Sequence, residues 1–125
     1  MAALRFSVFL FFLISGCSQA ASKIEVTIEN NLSSCIKLDD TEVVYNAGIP
    51  MLEISYQQLK AISQCGCKSA ISQYSSQLEM EGYNSSLLTA KLIFEADKFN
   101  IPLATSESII GDYNVLLSFS CAMPD

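Results

Sequence analysis

From Tyr113 to Cys121 the chain alternates. Tyr113, Val115, Leu117, Phe119 and Cys121 share one parity, opposite Asn114, Ser118 and Ser120. Successive side chains of an extended backbone point to opposite sides of a sheet, so a period of two marks a strand with one face buried. The same period runs through Lys23 to Glu29, where Ile24, Val26 and Ile28 oppose Glu25, Thr27 and Glu29. It returns in Met51 to Gln57, which puts Leu52, Ile54 and Tyr56 together. Between these runs Asn30-Asn31 breaks the pattern, Ser34 to Leu38 resumes it, and Asp39-Asp40 reads as a turn before Glu42 to Tyr45. Asn46 to Pro50 reads as a loop, punctuated by Gly48 and Pro50.

Other segments are read from less regular patterns. Gln58 to Gln64 fits a helical turn as well as a bend. Cys67 to Met80 is long and serine-rich, with Ala70, Tyr74, Leu78 and Met80 on one parity, and Ser69 to Gln77 carries no charge. It is expected as a strand, and as the better candidate for a docking edge, with a central position as the alternative. Leu87 to Ala96 has helical composition. However, Leu88, Ala90, Leu92, Phe94 and Ala96 align only on a strand face, so a strand is expected. Pro102 suits Asn100 to Thr105 to a sheet edge, where a missing N–H costs least. Seven or eight short strands separated by turn signals predict an all-β fold, a small disulfide-stapled β-sandwich. It is immunoglobulin-like by analogy: Gly111-Asp112-Tyr113 is similar to the tyrosine corner of such domains. The position two residues on is Val115 and not a cysteine, which departs from their pattern.

The N-terminus has a different character. Arg5 is the only charged residue before Lys23, Phe6 to Ile14 is apolar apart from Ser7, and small residues follow. This is the build of a secretory signal, and the apolar run is too short to span a bilayer. Ile14-Ser15-Gly16-Cys17 resembles the bacterial lipobox, in which the cysteine thiol accepts a diacylglyceryl group. This reading places lipidation at Cys17. Ordinary cleavage after Ala20 is the rival. The lipobox is preferred because it sits where the apolar run stops and uses an otherwise spare cysteine. By resemblance to Gram-negative lipoproteins, Ser18 after that cysteine implies the outer membrane. The expected organisation is a signal peptide over 1–20 with the lipobox at 14–17, a short tether over 18–22, and one domain over 23–125. The expected location is the outer membrane facing the periplasm, or the soluble periplasm if cleavage follows Ala20.

Chemistry is constrained mostly by what is missing. The chain has no histidine, and hence neither the commonest general base nor the commonest metal ligand. Its net charge is −6, which disfavours nucleic acid. No Gly-x-Ser-x-Gly motif accompanies the many serines. Asp39, Asp40 and Glu42 lack the pattern of a calcium loop, and the spacing of Glu79 and Glu81 does not make a glycosidase pair. No catalytic residue, metal or cofactor is therefore expected. Beyond Cys17 the cysteines are Cys35, Cys65, Cys67 and Cys121, an even set that predicts two disulfides in an oxidising compartment. Cys65 and Cys67, read as alternate residues of one strand with Gly66 in a bulge, are poorly placed to pair together. Cys35 then joins one of them and Cys121 the other.

With the lipobox-like segment, the Ile28 to Cys35 run, Cys-Gly-Cys-Lys-Ser-Ala at Cys65 to Ala70, and Ser-Phe-Ser-Cys at Ser118 to Cys121, the chain resembles a group of small exported bacterial proteins of uncharacterised function. The resemblance implies an envelope location and disulfides, and no catalytic residues. The expected function is a non-enzymatic binding or assembly module of the cell envelope, anchored by lipid and acting on an envelope protein not identified by sequence. The alternatives are a periplasmic thiol-redox or Cu(I)-handling protein using Cys65 and Cys67 with Met51, Met80 or Met123, and a small inhibitor of an extracytoplasmic enzyme.

Overall fold

A computed structural model describes residues 23–123. The segment expected to be a signal peptide, the expected cleavage zone and Cys17 lie outside the described residues. The strands are β1 (Val26–Asn30), β2 (Ile36–Asn46), β3 (Ile49–Gln58), β4 (Ser72–Glu79), β5 (Asn84–Leu92), β6 (Lys98–Pro102) and β7 (Asn114–Cys121), with a short helix α1 (Glu107–Ile110) between the last two. One sheet has the order β1-β7-β4-β5 and the other β2-β3-β6. All neighbours are antiparallel except β1 and β7, the first and last strands, which run parallel.

The alternating runs supply the core. Val115, Leu117 and Phe119 of β7 are buried beside Leu78, Ser76 and Tyr74 of β4, their register partners. Leu52, Ile54 and Tyr56 of β3 and Ile101 of β6 join them in one buried cluster from the other sheet. Burying each such aliphatic or aromatic side chain is worth about 1.5–3 kcal/mol. Tyr56, Phe94 and Phe99 pack edge-on with ring centroids 5.0–5.5 Å apart, and Phe94 reaches Phe119 at 6.0 Å. The inner serines of β4 are satisfied across the fold: Ser76 donates to the Leu103 carbonyl (2.6 Å) and Ser72 to that of Leu92 (2.8 Å), while the Tyr74 hydroxyl donates to Pro102 (3.2 Å).

Several local expectations are corrected. The serine-rich strand is no edge: β4 lies between β7 and β5, and its even-numbered residues from Ser72 to Leu78 are buried. Serine's polarity suggested solvent, but a hydroxyl with a fixed acceptor is tolerated inside. Asp39 is not in a turn. It is the extra residue of a bulge in a continuous β2, between the pairs Leu38–Tyr56 and Asp40–Ser55. The loop after Asn46 shrinks to the two residues Ala47 and Gly48, both with positive φ (51° and 80°) as a type I′ hairpin requires. Cys65 and Cys67 are not in a strand. Cys65 closes a 3-10 turn (Ile62–Cys65), and Gly66 ends it in the left-handed conformation, φ 85°. The sequence pattern carries no sign of the four-residue α1.

The disulfides are Cys35–Cys65 and Cys67–Cys121, with Cα separations of 6.0 and 5.2 Å. This settles the two connectivities that spacing left open. Both lie at one end of the sandwich, where β2 and β4 begin and β7 finishes. At this distal end Asn30 turns the chain from one sheet to the other, its side chain accepting from the Leu32 amide (3.0 Å) and donating to the Ile36 carbonyl (2.8 Å). The proximal end holds the starts of β1 and β7, the β4–β5 turn, α1 and the β2–β3 turn.

Candidate functional site

Strand alternation and sheet offset together make a cleft. In β2, Tyr45, Val43 and Thr41 pair with Pro50, Leu52 and Ile54, all buried, so these three side chains belong to the inner face. Yet Thr41 and Tyr45 are exposed. The facing sheet stops at β1, and no described strand lies beyond it to cover β2. A cleft of about 790 Å³ results, with Ile24, Val26, Val43 and Leu52 as its apolar lining and Lys23, Glu25 and Glu42 as its charged residues. A shallower depression of about 410 Å³ continues past Lys23 to Asp112 and Tyr113.

The backbone of β1 adds hydrogen-bonding capacity. The Glu25 carbonyl accepts from Val115 (2.9 Å) and the Asn31 amide donates to Phe119 (3.0 Å), so odd-numbered residues face β7. By strand alternation the amides of Val26 and Ile28 point the other way, along an edge with which no described strand pairs. Tyr45 leans across the cleft's mouth and donates to Glu107 Oε1 (3.3 Å). Its phenol is pushed above its ordinary value by desolvation first and by the Glu107 charge second. The arrangement offers an apolar trough, an open row of amides and carbonyls, and carboxylates nearby. It is suited to holding an extended segment.

The other candidates are dispersed. Cys65 and Cys67 lie at the distal end in separate disulfides, and the Ser34 hydroxyl donates to the Cys65 sulfur (3.3 Å). Met80 and Met51 stand at the proximal end, Met80 bonded to Tyr83 in the β4–β5 turn and Met51 paired with Val44 and Pro102. Met123 follows Cys121 at the distal end, but Cys65 and Cys67 are both tied in disulfides, and Met51 and Met80 stand at the far end from them. Asp40 and Glu42 share a depression with Glu53 and Lys98, whose ammonium binds Glu53 at 2.7 Å. That hydrogen bond, then the Glu53 charge, raises the lysine's pKa. No group of three or more potential metal ligands is clustered among the described residues. Sequence reasoning missed the β1–β2 cleft because periodicity reports which face is buried, not which strands are neighbours. One signal was present: Thr41 and Tyr45 keep the parity of Val43.

A family model described as an uncharacterized protein conserved in bacteria (DUF2195) matches residues 10–124. No curated protein matches, and no solved structure matches.

Proposed function

The chain belongs to this bacterial family, and from that premise we propose that it is an exported envelope protein, lipid-anchored at Cys17, whose domain is a non-enzymatic binding module. The observation that carries the reading is the cleft where the open edge of β1 meets the uncovered inner face of β2. A partner segment adding to β1 extends the first sheet over Val43 and Tyr45, gaining main-chain hydrogen bonds and burying apolar side chains together. Glu25 and Glu42 favour basic residues on that segment. The two disulfides support an oxidising compartment.

The test uses a photo-crosslinking amino acid at Thr41, inside the cleft, in cells that export the full chain. A discrete adduct is expected there and not from Gln73, on the opposite face of β4. Val26→Pro and Ile28→Pro remove outward amides while sparing the bonds to β7, and each should abolish the adduct, whereas Val26→Ala and Ile28→Ala, which lose the same core packing but keep the amide, should retain it. An adduct that persists in both proline variants excludes strand addition at β1. Palmitate labelling of wild type against Cys17→Ala checks the anchor. An unlabelled wild type whose N-terminus maps to Ala21 excludes lipidation.

A further inference from the structure

The exposed apolar side chains are unevenly placed. Of the eight large ones among the described residues, Tyr45, Ile49, Tyr83, Ile109 and Tyr113 lie at the proximal end, which leaves Leu59 and Ile93 near the distal end and Met123 after β7. All three exposed tyrosines are in the proximal set, at 49–63% exposure. They come from unrelated places in the chain: Tyr45 from the β2–β3 hairpin, Tyr83 from the β4–β5 turn and Tyr113 from the start of β7. The described chain begins at this same end, with Lys23 beside Tyr113.

We infer that the proximal end rests on the bilayer interface, with Tyr83 and Tyr113 at headgroup level and Tyr45 kept at the cleft by its bond to Glu107. This deepens the anchored reading above and rests on it. Five residues separate Cys17 from Lys23. Fully extended they reach about 20 Å, so a lipid on Cys17 holds this end, and not the distal one, against the membrane. Tyrosine suits that depth because its ring is apolar and its hydroxyl stays wet. Charge selects the kind of leaflet. At the proximal end Glu25, Glu79, Glu81, Glu107 and Asp112 outnumber Lys23, whereas toward the distal end Lys37, Lys60, Lys68 and Lys91 stand among Glu29, Glu95 and Asp97. An anionic surface repels the proximal end. A zwitterionic one presents ammonium groups that complement its carboxylates.

The chain has no tryptophan, so single tryptophans report position cleanly. Full-length protein carrying Tyr83→Trp, Tyr113→Trp or Leu59→Trp is purified from membranes and reconstituted into vesicles of phosphatidylethanolamine and phosphatidylcholine with brominated acyl chains. The expected result is at least a twofold loss of emission for both proximal variants and little change for Leu59→Trp. Replacing part of the lipid with phosphatidylglycerol should weaken the quenching. Protein that floats with the vesicles yet shows equal quenching at both ends, or stronger quenching at Leu59→Trp, overturns the orientation while leaving the anchor intact. Protein of unacylated mass that does not float overturns the anchor and the orientation with it. If the proximal reporters are instead shielded only when a second protein is added, the end is a protein-docking surface and the membrane assignment is wrong.

Discussion

The distal end of the sandwich carries both disulfides, a 3-10 turn and a buried Cys35. The proximal end carries no disulfide, exposes three tyrosines, and accepts positive φ at Ala47. The distal end is held by covalent links across long stretches of sequence, the proximal end by hairpins and packing. A small domain of this size has a thin core, and cross-links that limit the unfolded chain compensate for it. What the proximal end gains from lacking them is surface: its side chains and strand edges are free to meet something else.

The comparison is broken most strongly by cutting the staples. Replacing Cys67 and Cys121 together by serine opens a loop with a sequence separation of 54 and should cost about 4 kcal/mol. The same change at Cys35 and Cys65, separation 30, should cost about 3.5 kcal/mol. Urea unfolding of each double variant measures this. Equal stability to wild type would mean that the distal end is held by packing alone. Next in size is Ser76→Ala. It strips a buried carbonyl at Leu103 of its donor and should cost about 1–3 kcal/mol, read from the same unfolding curves.

Alkaline pH tests the seam between the ends. Burial raises the Tyr74 phenol, and burial followed by the charges of Asp97 and Glu95 raises Tyr56. A phenol raised in the folded state holds its proton there more tightly than in the unfolded chain. Its stabilisation is complete below about pH 10, the unfolded value, and is lost as pH climbs through the folded value. Stability should therefore fall above pH 10. Tyr74→Phe should cost about 1 kcal/mol at neutral pH through the lost bond to Pro102, and should flatten that alkaline fall. Melting temperatures taken across the range decide it. Smallest of all, Tyr83→Ser should shift stability by less than about 0.5 kcal/mol, because the side chain is 63% exposed. A large destabilisation there would show the tyrosine to be structural and remove one support for the membrane-facing end.

What could be read beforehand follows from how alternation encodes structure. Ile24, Leu52, Ile54, Val115, Leu117 and Phe119 were assigned to the inside by parity alone, and all are buried. The architecture of two stapled sheets followed from strand number and cysteine count. Strand order did not, since the residues that make β4 central are serines whose acceptors, Leu92 and Leu103, are remote in sequence. Of the two positions open to the serine-rich strand, an edge or the middle of a sheet, β4 takes the second. The disulfide pairing was narrowed to two choices and no further, because Cys65 and Cys67 differ only in which side of Gly66 they leave. The cleft was invisible for the same reason as the strand order: it exists because one sheet ends a strand early.

The two disulfides also set how far the molecule can be stretched. Followed through covalent bonds, the shortest path from Lys23 to Met123 runs along the chain to Cys35, crosses to Cys65, steps to Cys67, crosses to Cys121 and ends. The rest of the polypeptide hangs in closed loops that bear no tension. At about 3.5 Å per residue, the oxidised domain pulled from both termini extends to roughly 70 Å, against about 350 Å once reduced. Because β1 and β7 run parallel, that pull shears all their hydrogen bonds at once instead of unzipping them one by one. A domain wired this way behaves under load as a short, nearly inextensible link, and single-molecule stretching with and without reductant reads the difference directly.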